Sequence, residues 1–200
     1  MEQVLVVPAE WVNKICPQGF SVNIPTNFMQ ELAERAYFML RPEAEMDSNF
    51  RQVIPYVLVC HNSRYLTVTR RATQTETRLH NKVSFGIGGH INPIDGESGN
   101  VLDAGLRREL SEELAIDNPP KLDDLKLIGV ICDNTDEVSR VHFGLVLQWD
   151  VSASVSIRET DKMEGKYLAW DEIGQQKERL ENWSRLVYEK LASPVVAADN

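Results

Sequence analysis

Apolar residues in this chain come mostly in short runs bounded by polar turns, the pattern of strands, and less often at helical spacing. Residues 4–7 form a β-like run, and Pro8-Ala9-Glu10-Trp11 follows as a helix start. Thr26 is placed to cap a helix over residues 27–40 that Pro42 would stop. Residues 54–60 and 65–69 read as strands around the turn His61-Asn62-Ser63-Arg64. Residues 125–132 and 138–151 read as a second pair, joined by Asp133-Asn134-Thr135-Asp136. Residues 166–170 make a further short strand, and 178–191 a helix with Leu180, Val187 and Leu191 on one face. A glycine-rich loop between the strand pairs leads into one more helix, over residues 101–114. Strands and helices mix without regular βαβ alternation, which predicts an α/β sandwich on a mixed sheet rather than a doubly wound parallel fold.

Composition narrows this picture. A chain of 200 residues with 42% hydrophobic and 26% charged residues can bury a sizeable core. No repeat or low-complexity linker divides it. The expected organisation is an N-terminal extension (1–24), one catalytic-size domain (25–194) and a short tail (195–200), with the extension a candidate for homodimer contacts. No apolar run approaches the roughly 20 residues that span a bilayer, and the first residues lack a basic n-region. A cytoplasmic protein without membrane contact is the expectation. Cys16, Cys60 and Cys132 are odd in number and widely spaced, against a disulfide framework or a cysteine zinc site. A net charge of −9 disfavours a broad nucleic-acid surface. It leaves room for a small phosphorylated ligand if a cation supplies local positive charge.

Chemistry concentrates between Gly86-Ile87-Gly88-Gly89-His90 and Arg108-Glu109-Leu110-Ser111-Glu112-Glu113. With about 100° per residue and Glu109 as zero, Glu112 falls at about −60°, Glu113 at about +40° and Gly105 at about −40°. Leu106, Leu110 and Leu114 make an adjacent apolar stripe, and Asn100 is placed as N-cap. Three carboxylates thus share one helical side, with a glycine one turn back where other backbone can approach. Like charges at this spacing repel unless a cation separates them. Clustered hard oxygens suit Mg²⁺ or Mn²⁺. A solvated acidic face is the competing reading of the helix taken alone.

The two motifs together resemble the Nudix signature: Gly, five residues, Glu, seven residues, then Arg-Glu-U-x-Glu-Glu-x-Gly-U, with U aliphatic. Arg108 to Glu113 match its second half, Ile116 its final U, and Gly88-Gly89 its opening double glycine. Two features depart from it. Gly89 to Arg108 spans nineteen positions instead of fourteen, leaving open whether Glu97 is the first signature glutamate, and Ala115 replaces the last glycine.

The resemblance implies an α/β/α sandwich and a metal-dependent pyrophosphohydrolase acting on a nucleoside diphosphate derivative. Glu109, Glu112 and Glu113 are the implied metal ligands, with Glu113 also catalytic, and Arg108 the residue that orients a carboxylate. Glu164, with Glu159 behind it, is the implied additional base. Substrate contacts are expected from Gly88 and Gly89 and from Arg70, Arg71 and Arg78, with His80 and Lys82 in the same stretch. Trp11, Trp149, Trp170 and Trp183 could stack on a base, but each reads first as core. The alternative class is a non-catalytic, Nudix-like nucleotide sensor. Such domains lose signature carboxylates that this chain retains.

Overall fold

The computed structural model describes residues 1–70, 82–158, 160 and 163–192. Nine strands of the described residues form one mixed sheet. Its centre is β4 (Phe50–His61), every residue of which from Arg51 to Cys60 is buried. A strand covered on both faces needs apolar residues at both parities, and β4 supplies them. Val53, Val57 and Val59 face one side, and Ile54, Tyr56 and Leu58 the other. β4 pairs in parallel with β8 (His142–Asp150) and antiparallel with β1 (Gln3–Pro8). Beyond β8 lie β7 (Lys126–Cys132) and β2 (Gly19–Ser21). Beyond β1 lies β3 (Tyr37–Leu40). Residues 1–24 therefore contribute two strands to the same sheet as the rest of the chain.

Helices cover both faces. On one side, α1 (Ala9–Ile15), α2 (Phe28–Arg35) and α4 (Val101–Glu113) bury Val12, Phe28, Leu32, Leu102, Leu106 and Leu110. On the other, α3 (Arg41–Met46), α5 (Trp170–Gly174) and α6 (Asn182–Leu191) bury Ala44, Ile173 and Val187. The expected α/β/α sandwich with a mixed sheet is the observed architecture. No helix of the described residues is long and apolar enough to cross a membrane.

Local corrections have local causes. The helix expected over 27–40 ends at Arg35, because Tyr37-Phe38-Met39-Leu40 pairs with β1 as an edge strand. Asn27, not Thr26, is its N-cap, and Pro42 opens α3 instead of stopping α2. The strand expected over 166–170 is β9 (Met163–Ala169), with Trp170 starting α5. The last helix begins only at Asn182, since Glu181 caps it by accepting from the Ser184 and Trp183 amides at 2.6 and 2.9 Å.

The site owes its opening to strand divergence. β4 and β5 (Arg64–Arg70) pair only at Cys60↔Tyr65 and His61↔Arg64. Their two-residue turn puts Asn62 and Ser63 at φ 49° and 60°, the left-handed pair that a tight hairpin requires. Past the turn the strands separate. β6 (Val83–Ser84) pairs with β5, and Ile87 bridges to Val57. The glycine-rich loop thus enters the sheet between β4 and β5, next to α4.

Candidate active site

Helix α4 is set by its cap and its buried stripe. The Asn100 side chain accepts from the Leu102 and Asp103 amides, and Leu106, Leu110 and Leu114 are all 0% exposed. Gly105 meets the loop, where a Cβ would lie 2.5 Å from Ile91 Cδ1. The double glycine is a close-approach site. A Cβ on Gly88 would fall 1.7 Å from the Pro55 carbonyl oxygen, and one on Gly89 2.4 Å from Glu109 Oε2. Any side chain there would push the loop off both β4 and the Glu109 carboxylate.

Arg108 organises the acidic end. Its Nε and Nη2 donate to the two oxygens of Asp95 at 2.9 and 3.1 Å, and Nη2 also reaches the His90 carbonyl at 2.8 Å and Asn92 Oδ1 at 3.1 Å. Nη1 donates to Glu109 at 2.7 Å and, at 3.4 Å, to Glu112. Asp95 is 5% exposed. Its hydrogen bonds to Arg108 raise the guanidinium pKa further, so this arginine is permanently charged. Asp95, inside the lengthened loop, is the carboxylate that pairs with Arg108. The motif left open whether Glu97 is the first signature glutamate and did not name the carboxylate that Arg108 orients. The available signal was a second acid in the same loop, thirteen residues before Arg108.

The three signature glutamates occupy different surroundings. Burial raises the pKa of Glu109, Arg108 works against that shift, and the Glu112 charge adds to it. Glu112 is 59% exposed on its side chain and borders a shallow hollow with Met1, Glu2, Asn92 and Ile94. Glu113 lines a cavity of about 190 Å³ at the strand divergence, together with Gly88, Lys82, Tyr56, Met163 and Trp183. No three His, Cys, Asp or Glu side chains of the described residues converge as a ready-made metal cage. The donor set still fits a hard divalent cation. All of its donors are carboxylates on the end of one helix, and the buried Glu109 is a charge that burial and Glu112 disfavour and a cation would offset.

The far wall of the cavity is a polar–aromatic network. Tyr56 Oη donates to Glu181 Oε1 at 2.5 Å and lies 2.6 Å from Ser184 Oγ and 3.3 Å from Ser84 Oγ. Burial first, and the Glu181 charge second, push the Tyr56 phenol well above its ordinary pKa, so it stays a donor. Trp183 packs edge-on to Tyr56, ring centroids 5.6 Å apart. It packs half-buried against the core, as expected, and its ring also walls the cavity. Neither the Tyr56–Glu181–Ser184 network nor Glu181 itself was foreseen, because Tyr56 is more than a hundred residues from the other two.

Glu164 does not join this group. It is exposed and opposite Thr69 in β9, whereas the neighbouring Met163 is the residue that lines the cavity, so strand alternation turns Glu164 to the other face. Arg70 ends β5 opposite Met163. Arg71, Arg78, His80 and Glu159 lie outside the described residues, and Glu97 is within the short 3₁₀ turn Pro93–Ser98. Trp11 stacks on Phe28 and Trp170 on Tyr188, as core residues do.

No family model matches the sequence. The chain is 36% identical to protein YmaB of Bacillus subtilis (strain 168), over 95% of this chain and 97% of that protein. Among solved structures, Tm1382, a candidate Nudix hydrolase, shares 30% identity with a TM-score of 0.79, covering 95% of this chain and 98% of its own. A Nudix hydrolase from Alicyclobacillus acidocaldarius, 14% identical, shares the fold at a TM-score of 0.53 over 72% of this chain and 92% of its own. End-to-end similarity to Tm1382 agrees with a double glycine packed on the first carboxylate of an Arg-Glu-x-x-Glu-Glu helix: the chain belongs to the Nudix hydrolases, enzymes that act on phosphoric anhydrides.

Proposed function

We propose that this hydrolase is a metal-dependent pyrophosphohydrolase that cleaves the diphosphate linkage of a nucleoside diphosphate derivative by water attack on phosphorus. One observation carries the reading. Glu113, at the end of α4, shares a cavity with Lys82 and Gly88 on one side and with Tyr56 and Trp183 on the other. Carboxylates, a lysine and an aromatic wall in one space match the three parts of such a substrate: its cation, its phosphates and its base.

Glu109, Glu112 and Glu113 would hold the cation. When bound, it supplies positive charge to the diphosphate oxygens and lowers the pKa of a water. Arg108 fixes Glu109 through the Asp95 pair, which keeps that carboxylate from turning outward. Glu113 is the carboxylate best supported as proton acceptor for the attacking water, being the glutamate of α4 on the cavity. Lys82 offers an ammonium to the phosphates, and Gly88 and Glu109-packed Gly89 let them approach the backbone.

The test is a Mg²⁺-supplemented hydrolysis screen over nucleotide sugars, ADP-ribose, dinucleoside polyphosphates, nucleoside triphosphates and coenzyme A, run in ¹⁸O water. One substrate class should yield products cleaved at phosphorus and carrying a single ¹⁸O on phosphate. Binding of these compounds without turnover, in Mg²⁺ or Mn²⁺, would instead favour a sensor.

A further inference from the structure

Behind the double glycine, two histidines meet on the sheet face that also carries a buried glutamine, and the hydrolytic machinery uses none of the three side chains. His90 and His142 bring their Nε2 atoms to 3.3 Å, with rings tilted by 60°. His142 Nδ1–H donates to the Val138 carbonyl at 2.6 Å, so in the neutral ring Nε2 carries the lone pair and accepts from His90 Nε2–H. Gln52 is the register partner of His142 across β4 and β8, and so lies on the same sheet face. It is 0% exposed, and neither its Oε1 nor its Nε2 has a hydrogen-bond partner. A buried amide left open on both atoms loses its bonds to water with no replacement, so such groups ordinarily have a partner.

Chain direction brings His90 over Gln52. Gly88 lies against the Pro55 carbonyl, and three residues later the Ile91 carbonyl accepts from Leu5 N at 2.9 Å. Ile91 packs with Val53 and Leu5 on the α4 face, so its neighbour His90 turns to the opposite face, where Gln52 and His142 are.

The geometry points to a second cation site, in which His90 Nε2, His142 Nε2 and Gln52 Oε1 bind a late first-row divalent ion, with Zn²⁺ the best match. Zinc–imidazole bonds of about 2.0–2.1 Å make a tetrahedral edge of about 3.3–3.4 Å, the separation these nitrogens already have. The Nδ1–carbonyl bond of His142 is the outer-shell support usual for a ligating imidazole. Two imidazoles and an amide oxygen select a softer ion than the carboxylates of α4, so the two sites sort different metals. The flanking cations are already neutralised. Arg41 is paired with Glu2 at 3.0 Å and Glu45 at 2.9 Å, and Arg108 with Asp95 and Glu109. On binding, the His90 proton moves from Nε2 to Nδ1, so no net proton is released. The bound ion would fasten the segment carrying Gly88 and Gly89 to β8.

Chelator-stripped protein dialysed against Zn²⁺ alone provides the test, with bound zinc counted by elemental analysis and Co²⁺ absorption as a second readout. Wild type and Glu113→Gln should each bind one zinc at this site, which separates it from the hydrolytic metal and makes the result independent of any turnover. His90→Gln and His142→Gln should each bind at least tenfold more weakly and lose the nitrogen-ligated Co²⁺ bands. Gln52→Leu deletes an unpartnered buried amide and is expected to fold even where the histidine variants do not. It should melt higher without metal and bind zinc about tenfold more weakly. Wild-type zinc affinity in folded His90→Gln or His142→Gln, or in Gln52→Leu, would overturn the site, as would wild type that binds no zinc at micromolar free ion.

Discussion

Arg108 and Arg51 are both turned away from water, at 27% exposure of the side chain and 2% of the residue, yet they are held in opposite ways. Arg108 is surrounded by carboxylates: Asp95, Glu109 and Glu112. Arg51, in β4, donates among the described residues to neutral oxygens. Its Nη1 donates to the carbonyls of Arg140 and His142, at 2.9 and 3.4 Å, and its Nη2 to the side chains of Asn13 and Asn134, at 3.0 and 2.8 Å. The Arg51 region ties four separate segments together and has no carboxylate partner to move. The Arg108 region holds more negative charge than its arginine can neutralise, and one of those charges, Glu109, resists ionisation. The neutral clasp is closed on both Nη atoms and leaves only the buried Nε without a partner. A charge-excess cluster is completed by something else, and that asymmetry is what separates a structural arginine from one serving a cation site.

The largest effects should divide along this line. Glu113→Gln removes one charge from the acidic end without changing shape. Turnover should fall by about 10³-fold or more, while metal-free stability stays level or rises slightly as repulsion with Glu109 falls. Melting curves with millimolar Mg²⁺ should show a gain in wild type and little in the variant. Arg51→Met should do the reverse. Depriving four oxygens of their donor costs about 4 kcal/mol of stability, with turnover per folded molecule nearly unchanged. Denaturant titration and active-site counting distinguish the two. A large loss of turnover in Arg51→Met at full folding would break the comparison.

The acid response of the Arg51 end sharpens it further. Burial, then Arg41 and His142, lower the His90 pKa from 6.5 to about 4. Between those values the unfolded chain binds the proton and the folded one does not, so this contribution to stability is complete above pH 6.5 and lost as pH falls toward 4. In metal-free protein, His90→Gln should flatten the fall in stability over that window by up to about 3 kcal/mol, read from denaturant midpoints at several pH values.

Asp95→Asn tests the carboxylate side. It keeps the shape but weakens the charged fork that holds Arg108, so Glu109 loses its fixed orientation. A drop in turnover of about 30-fold is expected, with a weaker Mg²⁺ response and about 2 kcal/mol of lost stability. Unchanged metal response at reduced stability would make Asp95 a purely structural partner.

How much of this was legible in the sequence depends on how far apart the interacting parts lie. Asn100, Leu106, Leu110 and Leu114 mark out α4 because cap and stripe are local, and Asn62-Ser63 marks its hairpin for the same reason. Tyr37 to Leu40 reads as helix only until Gln3 to Val6 is known to be its partner, more than thirty residues away. Arg108 and the glutamates are visible as a motif, whereas Asp95 becomes its partner through the shape of a loop with irregular length. The meeting of Tyr56 with Glu181 and Ser184 has no local signal. Their meeting depends on α6 packing beside a gap that only strand divergence creates.

The smallest expected effect is the most discriminating about the base. Glu164 occupies a late-strand position where the family resemblance implies a catalytic carboxylate, so that reading requires Glu164→Gln to lower turnover about 100-fold. The register of β9 argues otherwise. Met163 and Val68 line the cavity with Glu113, and Glu164 pairs with Thr69 on the alternate parity, exposed. A glutamine there should alter kcat and KM by less than about twofold, in keeping with an exposed surface substitution. The pH–rate profile adds a readout that fold damage would not mimic, since a variant lacking its base loses the acidic limb of kcat, while one lacking a surface charge keeps it. A 100-fold loss with the acidic limb gone would mean that β9 shifts its register or its edge when substrate binds. It would also move proton acceptance from Glu113 to the strand, leaving Glu113 with the cation alone.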